Sequence, residues 1–184
     1  MKKKGLVIIG IIVLIVIIFG STYNKLNVLD ENVDSSWAQV ETLLKRRADL
    51  IPNLVNVVKG YADHESEVLL GITEARSKFD SASTPKQYAE ADTELSSALT
   101  KFYAVVENYP ELKANQNFIA LQDELAGTEN RIAIGRKRYN DSVKEYNTTI
   151  RRFPTNIMAK LFGFEKREYF EISPEDANVP DVQF

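Results

Sequence analysis

The stretch Phe118–Phe153, FIALQDELAGTENRIAIGRKRYNDSVKEYNTTIRRF, carries the cleanest pattern in the chain. Phe118, Leu125, Ile132, Tyr139, Tyr146 and Phe153 recur every seven residues. Seven residues are close to two turns of an α-helix, so these side chains share one stripe. A second row, Leu121, Thr128, Gly135, Ser142 and Thr149, recurs at the same interval and is mostly small. Large residues on one row fill a core, while the small row lets a neighbouring helix come close. The spacing predicts a long packed helix, closed by Pro154.

A partner seam starts at Leu26. Leu26, Val33, Val40, Leu54 and Tyr61 form one heptad row, and Leu29, Leu43, Leu50 and Val57 form another. Pro52 interrupts this seam, because it lacks an N–H and its ring crowds the carbonyl of Ala48. A kink there and an end near Gly60 are expected. A shorter helix should run from about Asp63 to Phe79, with Val68, Ile72, Ala75 and Phe79 on one face. Asp80 to Thr84, DSAST, reads as a loop. Thr84, Pro85 and Gln87 have the spacing of a capping box opening the next helix, whose buried rows are Tyr88, Leu95, Leu99, Phe102 and Val106. Asn108, Tyr109 and Pro110 end it. The fold class is therefore all-α, an antiparallel bundle of about four helices.

Ahead of the bundle, Gly5–Gly20 reads GLVIIGIIVLIVIIFG behind Lys2, Lys3 and Lys4. The run gives roughly 24 Å of helix, slightly less than a ~30 Å hydrocarbon core, so Ser21, Thr22 and Tyr23 complete a span. Leu6, Ile12, Leu14 and Phe19 face lipid in this reading, and Tyr23 sits at headgroup level. A cleaved secretory signal is the rival reading, but Ile18 or Phe19 would stand at the third position before a cut, where a small residue is needed. With no cysteine in the chain, a lipoprotein anchor is excluded. Three lysines precede the span and only Lys25 lies in the twenty residues after Tyr23. The positive-inside rule then places the N-terminus in the cytoplasm and the body outside. The expected organisation is a single-pass anchor over 1–24, a bundle over 25–153 and a tail over 154–184 that docks on the bundle or on the membrane surface.

In that tail, Ile157, Met158, Leu161, Phe162 and Phe164 crowd together with Lys160, Lys166 and Arg167 around them. A small helix covering the open end of the bundle is favoured over an amphipathic segment touching the bilayer. Tyr169 to Ile172 reads as extended chain docking on the body.

Several blocks together resemble the LemA family of bacterial membrane-anchored helical proteins. They are Tyr23-Asn24 after the anchor, Trp37, Arg46 to Val55 (RRADLIPNLV), Ala75-Arg76-Ser77, Tyr109 to Lys113, Leu121 to Leu125, Thr128 to Ile132, Tyr139-Asn140 and Tyr146-Asn147. The resemblance covers nearly the whole chain in the family's order. It implies a long helical bundle in the cell membrane and no established enzymatic activity. Relatives in specialised membrane compartments suggest a structural or organising role.

Removing the +3 of Lys2, Lys3 and Lys4 from the formal net charge of −3 leaves −6, against a nucleic-acid partner. Catalytic chemistry has little support. His64 is the only histidine, and His64-Glu65-Ser66-Glu67 lacks the second histidine of a zinc helix. No cofactor or metal site is expected. One charge stands out: Arg47 occupies the seam row between Val40 and Leu54, where an unpaired guanidinium would cost several kcal/mol. Glu124 and Glu129 on the last helix are its expected partners, with Arg46 and Asp49 completing a network. That network reads first as an ion pair fixing register and second as a ligand pocket. Trp37 should fill the core between helices, and the basic residues Arg131, Arg136, Lys137, Arg138, Arg151 and Arg152 should form a solvated face. The function expected is a non-enzymatic scaffold of the cell envelope, with the bilayer and unidentified envelope proteins as partners. A ligand-binding sensor and a self-assembling, membrane-shaping protein are the alternatives.

Overall fold

A computed structural model describes residues 2–61 and 65–171, with side chains from Gly5 onward. Asp63, His64 and the tail from Ile172 lie outside the described residues. Those described form six helices: α1 (Lys2–Lys59), α2 (Ser66–Ser81), α3 (Pro85–Val106), α4 (Pro110–Lys113), α5 (Gln116–Arg151) and α6 (Thr155–Phe162). Gly5–Gly20 is entirely exposed, and α1 is long and apolar enough there to cross a membrane.

α1 is one unbroken helix from the apolar run into the bundle, about 87 Å at 1.5 Å per residue. No glycine or proline lies between Gly20 and Pro52, and its short polar residues return their hydroxyls to the helix, as when Ser36 donates to the Val33 carbonyl at 2.9 Å. The helix also passes through Pro52. Pro52 strips the Ala48 carbonyl of its helical donor, and Arg76 of α2 supplies another: its Nε donates to that oxygen at 3.3 Å. One motif residue thus repairs the defect made by another.

α5 runs antiparallel to α1 along the body. Arg46 faces Glu124, Val40 faces Gly135 and Trp37 faces Tyr139, so contacts step down one helix as they step up the other. Gly135 shows why the small row matters: a Cβ there would meet Val40 Cγ2 at 3.3 Å and Leu43 Cδ1 at 3.6 Å. The large row is buried from Phe118 to Tyr146, but Phe153 is 81% exposed. The helix ends at Arg151, and the heptad register does not continue past that end.

On α1 the first row is buried from Leu26 to Leu54, whereas Tyr61 is exposed. The second row shifts by one residue: Leu44, Ile51 and Val58 are buried, while Leu43, Leu50 and Val57 are half-buried. A straight α-helix drifts about 20° per heptad, and α2 also covers this end of α1.

α2 packs on α3 and α1, burying Leu69, Ile72, Ala75 and Phe79, with Val68 at the edge. It begins at Ser66 and runs through Asp80 to Ser81, shortening the expected loop. The capping box is present: Gln87 N–H donates to Thr84 Oγ1 at 3.2 Å, and Thr84 N–H donates to Gln87 Oε1 at 3.2 Å. Asn115 caps α5 through the amides of Asn117 and Phe118.

Beyond α6, residues 164–171 run as extended chain along α5. Two asparagines hold this strap by its backbone. Asn140 donates to the Phe170 carbonyl at 3.0 Å and accepts from the Phe170 amide at 2.9 Å. Asn147 makes the same pair of bonds with Arg167, both 2.9 Å. Seven helical residues and three extended ones each rise about 10 Å, so the two clamps fall in register. Tyr139 adds a bond to the Glu168 carbonyl at 2.7 Å, and Phe170 is buried against Trp37. Tyr139-Asn140 and Tyr146-Asn147 are therefore the strap's binding face on α5.

Candidate binding network around Arg47

Arg47 reaches its position because α1 turns the Val40–Leu54 row toward the junction of α3 and α5. It is 2% exposed, the most deeply buried charge among the described residues. Its Nη1 donates to Asp92 Oδ1 of α3 at 2.6 Å, and its Nη2 to Glu129 Oε2 of α5 at 3.5 Å. The guanidinium thus ties three helices together. Nε is buried without a hydrogen-bond partner, so satisfaction is incomplete.

Four of the five expected residues come together, as two neighbouring pairs. Arg46 Nη2 lies 2.7 Å from Glu124 Oε1, an ion contact without the alignment of a hydrogen bond, and Arg131 approaches the same oxygen at 3.7 Å. Glu124, expected on Arg47, pairs with Arg46 instead, and Asp49 joins neither pair. It is exposed and makes no ion pair or hydrogen bond among the described residues, because two positions along a helix place it on nearly the opposite side from Arg47.

Asp92, the main partner, was not expected. The signal was present: Asp92 lies on the apolar stripe of α3, four residues after Tyr88 and three before Leu95. An acid on one core row and a base on another are each costly alone and tolerable together. Burial pushes the Asp92 carboxyl above its ordinary range, against the opposing pull of the Arg47 guanidinium; Glu129 pushes the same way as burial and Arg136 against it. Burial likewise raises the Tyr103 hydroxyl, which stands close enough to feel Arg47.

The polar atoms of this cluster border a half-open groove of about 530 Å³ between α3 and α5. Asp92, Glu129 and Arg136 line it with the hydroxyls of Thr93, Ser96 and Thr100. α3 packs chiefly on α2, which leaves its flank toward α5 open. Such a groove suits a small polar or ionic ligand. Among the described residues no three carboxylate or histidine side chains converge as a metal site would require. Trp37 packs between Tyr88, Tyr139 and Phe170, with ring centroids 5.3 to 6.1 Å away.

A sequence model of the LemA family matches residues 36–184. Two magnetosome proteins MamQ of Paramagnetospirillum magneticum are each 26% identical over 178 residues, covering 83% of this chain and 65% of theirs. Protein LemA of Metamycoplasma hominis is 25% identical over 146 residues, covering 78% of this chain and 67% of the relative. The chain thus spans a little under two-thirds of the MamQ length. None of these names states a reaction.

Proposed function

This chain belongs to the LemA family, and we propose that it is a single-pass, non-enzymatic scaffold of the bacterial cell envelope that presents the outer faces of its bundle to other envelope proteins. The observation that carries this reading is α1: one helix forms both the candidate span and the core of the body. A body built on its own anchor has a defined direction relative to the membrane, which suits a platform. In keeping with the lysines ahead of the span, the N-terminus is cytoplasmic and the body extracytoplasmic.

The absence of cysteine makes the test direct. Asn108→Cys introduces a single thiol at an exposed turn far from the span. An impermeant maleimide should label it in intact cells, and photo-crosslinkers on the exposed α3 face at Lys86 or Glu90 should capture a recurrent set of envelope proteins. A body that turns over a substrate while crosslinking to no membrane protein would overturn the scaffold. Labelling only after lysis would reverse its orientation.

The groove beside Arg47 favours a second reading, a ligand-binding module. Small anions or polar metabolites that fill it should raise the melting midpoint, whereas a pair that only fixes register should ignore them.

A further inference from the structure

The antiparallel packing returns the end of α5 to the end of the span. Trp37 faces Tyr139, so about twelve residues further along both helices Arg151 at the α5 terminus stands near the height of Lys25, just past Tyr23. α6 follows and packs on both α5 and α1. Its Phe162 ring lies 4.8 Å from the ring of Tyr23, and Phe164 lies 6.0 Å from it. The level at which an aromatic ring meets the headgroups is therefore also the level of α6.

The small helix does cover the bundle end, burying Met158 and Ala159. Its other face is apolar and bare: Ile157 is 52% exposed, Leu161 68% and Phe162 51%, with Phe153 just ahead of the helix. Elsewhere on the body, exposed large apolar residues such as Leu70 and Ile134 stand apart; here four fall within ten residues. Around them Lys25, Arg151, Arg152 and Lys160 are exposed, and among the described residues none is paired with a carboxylate. Apolar side chains rimmed by unpaired cations at headgroup height match the interface of an anionic bilayer.

We propose that Phe153 and α6 form a second membrane contact, with Phe153, Ile157, Leu161 and Phe162 inserted at the headgroup boundary beside the emerging span. An eight-residue helix binds a bilayer weakly alone, but the span already holds this one at the surface, so association costs little more. Two contacts on one rigid body fix its tilt and bring its lower side against the lipid. This inference rests on the membrane anchorage of the scaffold reading.

The test uses the full chain in vesicles of phosphatidylcholine and phosphatidylglycerol, with single cysteines carrying an environment-sensitive fluorophore and nitroxide-bearing lipids as quenchers. Three sites are compared: Leu161→Cys, Ile12→Cys in the span and Gln116→Cys at the far end of the body. Each side chain is exposed, so folding is not at stake. The expected result is quenching at Leu161 several-fold above Gln116, at every protein-to-lipid ratio. Quenching at Ile12 with Leu161 as unquenched as Gln116 overturns the second contact and leaves the anchor standing. An unquenched Ile12 sinks the anchorage and this inference with it. A Leu161 fluorophore that is shielded from water yet as unquenched by lipid as Gln116, and that loses this shielding as protein is diluted, would mean that a second copy covers the face, which also overturns the proposal.

Discussion

Near the membrane end of the body, α5 is held by amides; further out, it is held by charges. The asparagine clamps at Asn140 and Asn147 pair both backbone groups of Phe170 and of Arg167 with matching amide atoms, so these polar groups are satisfied and neutral. The Arg47 cluster buries a full charge, shares it between Asp92 and Glu129, and leaves Nε without a partner. Neutral, complete pairing adds stability at modest desolvation cost, whereas a buried ion pair can cost as much as it returns. What such a cluster can supply in return is discrimination. A seam position of this kind favours a partner bearing an acid at matching height.

The largest effect should come from breaking the charged cluster on one side. Asp92→Ala leaves the buried guanidinium with only the longer contact to the exposed Glu129, and should lower unfolding stability by about 3–5 kcal/mol in denaturant titration. Adding Arg47→Met should recover most of that loss. A double variant as unstable as the single one would contradict the cost assigned to the charge. Asn140→Leu should cost less, about 2–3 kcal/mol, because two backbone groups of the strap lose their partner. Protease should then cut the strap near Arg167 faster than in the wild type; unchanged cleavage would mean that the clamp does not hold it.

Smaller still is an alkaline effect. Burial pushes the Tyr139 and Tyr146 hydroxyls up to about 12 from their ordinary 10.0. Their contribution is complete below pH 10, where folded and unfolded chains both keep the proton. It falls between pH 10 and about 12, where the unfolded chain ionises first, and is lost above that range. Tyr146→Phe should flatten the slope of stability against pH in this window, and an unchanged slope would remove Tyr146 from the account. The smallest effect is expected at Asp49: Asp49→Ala should change stability by no more than about 0.5 kcal/mol, since the side chain is exposed and unpaired among the described residues.

Legibility in the sequence followed the physics of each element. The α5 stripe, the α3 capping box and the apolar run each depend on neighbours a few residues away, so periodicity and caps reveal them. Arg47 was legible as a misfit, and Glu129 followed once antiparallel packing was assumed. Asp92 required the placement of α3 against α1, which periodicity does not specify, although its position on an apolar stripe marked it as the mate of another misfit. A strict seven-residue repeat on α1 leaves out the drift of a straight helix, which moves burial from Leu43, Leu50 and Val57 to Leu44, Ile51 and Val58. A strict repeat carries Phe153 into the core row although its helix ends two residues earlier. The strap's extended character was visible, but its bidentate grip was not, because a Tyr-Asn pair on a helix names no partner.

One rigid helix joins the span to the far end of the body, and a pulsed electron-spin distance between labels at Ile17→Cys in the span and Asn56→Cys in lipid vesicles tests it. Both positions are exposed on α1 and bracket Pro52. A continuous helix predicts a single narrow distribution with the backbones about 58 Å apart. A broad distribution, or one shortened by more than a turn of helix, would contradict it and leave the body hinged on its anchor.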